Sequence, residues 1–166
     1  MRDLPRQLSA EEFAAFNGPY VQRMTELGLT TGDGFVTTRT NVAPTVAGIT
    51  EPALLAFTYT VPSAGAGGGT AWRLSGATET RKEGTSAERL SSIVDALSSK
   101  LEGLGAAWEQ ATAITVYGEA CDLDGPTLAR FGAAGLRGVR WYPSLPPVAG
   151  ASFEIDAHSV GTEREV

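Results

Sequence analysis

Residues 85–105, TSAERLSSIVDALSSKLEGLG, constrain the fold more than any other stretch. Thr85 and Glu88 stand three apart, the spacing at which a hydroxyl and a carboxylate satisfy each other's backbone amides in a capping box. Behind them Leu90, Ile93, Val94, Leu97, Leu101 and Leu104 recur at helical spacing and form one apolar stripe. Gly103 and Gly105 supply the stop. A stripe of that length has to be laid on another apolar surface, and a sheet face is what the rest of the chain can offer.

Several β-prone runs supply that sheet. FVTTRTNVAPTVAGIT (35–50) predicts a strand and a loop, broken by Pro44 and Gly48. LLAFTYTVP (54–62) alternates Leu55, Phe57, Tyr59 and Val61, and with TAWRLSGA (70–77) it predicts a hairpin across a glycine-rich connection. ATAITVYGEA (111–120) is a buried strand by composition, and PTLARFG (126–132) a short helix with Pro126 in its first turn. Two further strands, about 136–143 and 151–160, flank a proline-rich turn. At the other end, SAEEFAAFNGPYVQRMTELGL carries a second capping box, Ser9 with Glu12, and Gly18-Pro19 predicts two short helices or one kinked helix. The expected fold is α+β, a mixed sheet with helices packed on one face. Residues 1–50 form a helix-strand extension and 51–166 the core, within a single compact domain.

Charge and composition narrow the function. The chain of 166 residues carries a net charge of −6, which disfavours nucleic acid as a partner but not a small anion gripped by a few arginines. One cysteine and one histidine exclude an intrachain disulfide and the usual multi-cysteine or multi-histidine metal sites. No G-x-S-x-G elbow accompanies His158, and the glycine run lacks the Lys-Ser/Thr of a phosphate loop. MRDLPRQLSAEEF has no signal-peptide core and no apolar run is long enough to span a membrane, so the expected location is the cytoplasm.

From about residue 54 the order of elements and several words resemble the reactive-intermediate deaminase (Rid, YjgF-type) superfamily. The resemblance is carried by Ser75-Gly76 closing WRLSG, by LGAAWEQATAITVYG after the long helix, by Arg137 eight residues before Leu145-Pro146, and by Glu154-Ile155-Asp156-Ala157. It implies a chorismate-mutase-like protomer, a homotrimer with pockets between subunits, and a cofactor-independent deaminase. The branch it is most similar to acts on 2-aminomuconate-type compounds. Carried over, Arg137 grips a substrate carboxylate, Glu154 activates water and Ser75 lies at the pocket edge. Val139 stands where the family commonly has a small polar residue or cysteine.

The chemistry is coherent without the resemblance. A protonated imine carbon is already electrophilic, so orientation, a water activator and a charge clamp suffice. A planar guanidinium fixes a carboxylate bidentately. On a regular strand Arg137, Val139 and Trp141 share one side, and Arg140 and Tyr142 the other; a bulge at Gly138 would let Arg137 and Arg140 converge on a dicarboxylate. The expected substrate-binding set is therefore Arg137, Arg140, Ser75, Trp141 and Tyr142. His158 shares the Glu154 side as a structural residue, and Cys121 has no activating neighbour in sequence. The expected function is hydrolytic deamination of an enamine or imine carboxylate, with an aminomuconate-like dicarboxylate as the best class. Alternatives on the same scaffold are another hydrolysis or cyclisation, or non-catalytic ligand binding.

Overall fold

Both capping boxes close in the computed structural model, which describes residues 1–31, 34–46, 48–57, 71–78, 83–119 and 123–160. In chain order the elements are β1 (Arg2–Asp3), α1 (Ala10–Glu26), β2 (Thr30–Thr31), β3 (Gly34–Phe35), β4 (Asn41–Pro44), β5 (Ala53–Leu54) and β6 (Trp72–Thr78). Then come α2 (Ser86–Gly103), a 3-10 turn at Trp108–Gln110, β7 (Ala113–Gly118), α3 (Gly125–Ala129), α4 (Gly132–Leu136), β8 (Arg140–Leu145) and β9 (Phe153–Ser159). Ser9 and Thr85 accept from the amides of Glu12 and Glu88, whose carboxylates answer the cap residues' own amides. α1 is one helix with Pro19 inside it, and none of its residues is buried.

α2 lays Leu90, Ile93, Val94, Leu97 and Leu101 on the sheet, against Trp72, Leu74, Ile114, Val116, Ile155 and Ala157. Burying each aliphatic chain is worth roughly 1.5–3 kcal/mol before entropy is counted. Leu104, expected in this stripe, is instead the helix C-cap and 57% exposed, because the chain turns away through Gly105 at φ +65°. Phe131 and Trp108 close the end of this core edge to face, 4.9 Å apart.

Among the described residues the main sheet is mixed and seven-stranded, in the order β5-β1-β4-β8-β7-β9-β6. β7 pairs parallel with β8 and antiparallel with β9, and β9 pairs antiparallel with β6. The first fifty residues extend this sheet: β4 pairs with β8 through Ala43 and Pro44, and β1 lies parallel to β4. Gln7 fastens the proline-rich turn, donating to the carbonyls of Pro146, Val148 and Ala151. No helix among the described residues is long and apolar enough to cross a membrane.

Most of the expected hairpin, residues 58–70, lies outside the described residues, as does Cys121. At its described end, Ala53–Leu54 pairs with Arg2–Asp3, at the opposite edge of the sheet from β6. One expectation changes: no strand begins at 136. A second short helix, α4, occupies 132–136, and Gly138 at φ +105° swings the chain into β8 at Arg140. The small residues of GAAGL allow that turn to pack tightly, since a Cβ on Gly135 would meet the Leu128 carbonyl oxygen at 2.6 Å.

The sheet is coiled. Seven strands about 4.8 Å apart would hold their edges nearly 30 Å from each other if flat. Leu54 of β5 and Arg73 of β6, on the two edge strands, nevertheless line one cleft of about 300 Å³. The face away from α2 is therefore concave, as accumulated strand twist permits.

Candidate active site

Alternation along β9 divides its side chains between the two faces of the sheet. Phe153, Ile155 and Ala157 join the core beneath α2. Glu154, Asp156 and His158 point to the concave side, and all three are buried. Cross-strand register extends each into a row, because directly opposed residues share a face. Glu154 lies opposite Tyr117, which lies opposite Tyr142. Asp156 lies opposite Thr115, and Thr115 opposite Arg140. His158 is flanked by Ala113 and Arg73.

Between β6 and β9 the register slips. Leu74 pairs with Ala157 and Ala77 with Ile155, so Ser75 and Gly76 together oppose Asp156. That is a β-bulge, and it is what the Ser-Gly word encodes: a small pair that bends the strand where the acid sits. Ser75 Oγ is buried there and has no hydrogen-bond partner.

Asp156 is the hub of the concave face. Its Oδ2 accepts hydrogen bonds from the Tyr117 hydroxyl at 2.9 Å and the Thr40 hydroxyl at 3.2 Å, and Arg73 approaches it at 3.5 Å. Burial, then the charge and hydrogen bond of Asp156, push the Tyr117 hydroxyl well above the usual tyrosine range, so it remains a donor. Thr40 and Arg73 also line the cleft, which places Asp156 directly behind its wall. The cleft's other polar lining includes Arg2, Tyr20, Thr37, Thr38 and Arg39, and among the described residues no carboxylate lines it. Its character is that of an anion site.

The structure separates the residues expected to act together. Arg137 ends α4, exposed, with its guanidinium donating to the carbonyls of Glu109 (3.0 Å) and Ala111 (2.6 Å). Ala111 precedes the Tyr117–Glu154 row by six residues, roughly 20 Å of extended chain. Gly138 therefore turns Arg137 away and does not make it converge with Arg140. Arg140 and Tyr142 do share the Glu154 side, and the Tyr142 ring lies 5.9 Å from that of Tyr117. Trp141 falls on the opposite side and donates to the Gly118 carbonyl at 3.0 Å. Ser75 and His158 belong to the concave face. Arg73, Tyr117 and Thr40, which meet around Asp156, are not among the residues expected from sequence. Arg73 and Tyr117 had a signal, since each neighbours a quoted word (WRLSG, TVYG); Thr40, distant in sequence, had none.

Among the described residues, no three or more His, Cys, Asp or Glu side chains come together to hold a metal ion. A family model described as 2-aminomuconate deaminase CnbZ matches residues 2–164, so the match takes in the N-terminal segment that lines the cleft. The chain is also similar to a 2-amino-5-chloromuconate deaminase of Comamonas testosteroni. The two are 30% identical over 181 residues, spanning 97% of this chain and 70% of that protein.

Proposed function

The chain belongs to the 2-aminomuconate deaminase CnbZ family, and from that premise we propose that it hydrolyses an enamine or imine carboxylate of the aminomuconate kind, releasing ammonia. The observation that carries this reading is an arginine-lined cleft set against a buried row of acids. Protonation at carbon, with loss of a proton from nitrogen, converts the enamine to its imine. Water then adds to the C=N carbon, and the carbinolamine expels ammonia as the C=O bond forms, so imine and water give ketone and ammonia. Nothing is oxidised or reduced, and the protein's task is to orient, clamp and move protons.

We assign the clamp for the carboxylate beside the reacting carbon to Arg73, in place of Arg137. Glu154 keeps the role of water activator, and Asp156 positions Arg73 and Tyr117. Tyr117, held neutral, keeps its hydroxyl hydrogen on Asp156 and so fixes that carboxylate in the acid row. Ser75 and Arg140 edge the same face. The expected homotrimer belongs to the proposal as well: Leu54, Leu55, Phe57, Trp141 and Tyr142 are exposed, and a second copy would cover such surface. Sedimentation velocity measures it.

Ammonia release from 2-aminomuconate, generated in situ, tests the mechanism. Glu154→Gln, which keeps size and shape, is expected to lower kcat by about 10²- to 10⁴-fold. Full kcat in both Glu154→Gln and Asp156→Asn would end the reading.

A further inference from the structure

Arg39 lies on the segment entering β4, in the first fifty residues. Its guanidinium carbon sits 4.0 Å from the Tyr20 ring centroid and 5.9 Å from that of Phe16, so α1 braces it by cation–π contact. Arg2 approaches Phe16 from 5.7 Å, which gathers two cations around one aromatic pair. Arg39 Nη1 is buried and makes no hydrogen bond. Burial and the charge of Arg2 both hold the Arg39 pKa below its usual value, the mark of a cation lacking a local counter-charge. A buried guanidinium nitrogen left without an acceptor is costly, and Arg39 lines a cleft whose described wall carries no carboxylate.

We propose that Arg39 is the second carboxylate clamp, gripping the end of a dicarboxylate remote from the reacting carbon while Arg73 holds the near one. This rests on the functional reading above and adds to it a specificity-determining residue and the job of the N-terminal segment. The two arginines reach the cleft from separate parts of the coiled sheet, Arg39 from the segment entering β4 and Arg73 from β6, four strands away. A cleft of about 300 Å³ is at the small end of ligand sites, sized for a short diacid rather than a cofactor. Planar bidentate recognition explains why arginine and not lysine stands there.

The test separates this inference from the activity. trans,trans-Muconate and sorbate share a six-carbon diene skeleton and differ in one terminal carboxylate, and neither contains the amino group that hydrolysis removes. By calorimetry the wild-type chain is expected to bind muconate at least about tenfold more tightly than sorbate. Arg39→Met, which keeps the stem, is expected to lose about 10- to 100-fold in muconate affinity and leave sorbate unchanged. Wild-type protein that does not distinguish the two acids, or an Arg39→Met variant that still does, overturns the proposal. If the preference is present and depends on Arg39 but no aminomuconate is deaminated, the clamp stands and the proposed reaction falls. If Arg39→Met weakens both acids equally, Arg39 supports the fold of the cleft and does not select its ligand.

Discussion

Replacing Tyr117 with phenylalanine removes one oxygen from the concave face and probes the acid row directly. The lost bond runs from the hydroxyl to the carboxylate of Asp156 at 2.9 Å, between residues that are each 3% exposed. A hydrogen bond to a charged group is worth about 1.5–3 kcal/mol. Asp156 keeps Thr40 and Arg73, so the lower end applies, about 1.5 kcal/mol. At roughly 2–4 °C per kcal/mol for a domain of this size, the expected loss near neutral pH is about 3–6 °C in Tm. The alkaline range carries the sharper signature. Burial raises the folded-state pKa of Tyr117 above the unfolded value of about 10, so its stabilisation is complete below pH 10 and is lost as pH climbs toward the folded value. Between those values the unfolded chain releases the proton and the folded chain keeps it, which costs about 1.4 kcal/mol per pH unit. The phenylalanine variant lacks that slope. The two stability curves, about 1.5 kcal/mol apart at neutrality, are therefore expected to meet near pH 11. Urea titrations from pH 7 to 11.5, read by fluorescence, measure this. Curves that stay parallel above pH 10 would mean that Tyr117 ionises like a solvated tyrosine, and the buried acid row would be refuted.

Other substitutions separate bracing from chemistry. Arg137→Ala deletes two bonds that tie the end of α4 to the carbonyls of Glu109 and Ala111, and should lower Tm by about 2–4 °C with muconate affinity unchanged within about twofold. A tenfold loss of affinity would return Arg137 to the site. Gln7→Ala removes three bonds to the turn at 146–151 and should speed amide exchange at Leu8 and Ala149 by about tenfold or more. Unchanged protection there would show that the turn holds itself.

What could be read in the chain was what neighbouring residues decide. Both capping boxes, the α2 stripe as far as Leu101 and the inward and outward halves of β9 follow from spacing, and β7 from its β-branched composition. The break at Arg137 did not, and the reason is local competition. LRGVRWY has strand-like alternation, but GAAGL before it packs a helical turn against Leu128, and Gly138 then takes a left-handed conformation that cancels the expected register. Alternation counted across such a glycine assigns sides that the backbone never adopts. Counted from Arg140 onward, the same alternation assigns Tyr142 correctly to the Glu154 side.

The cleft was beyond sequence because it is made by curvature. Arg39 and Thr40 belong to a segment read as an extension, and Arg73 to a strand four places away in the sheet from β4. Only coiling brings them to one cleft, and coiling accumulates from small twists that no residue pattern spells out. One word did encode it in part. Ser75-Gly76 is a bulge, and a bulge sharpens twist on the strand that carries Arg73. The spacing of the two arginines is thus a property of the whole sheet. A change weakening the pairing of β1 with β4, far from the acids, is therefore expected to reduce the proposed preference for muconate over sorbate, read by calorimetry, before it slows the proposed release of ammonia.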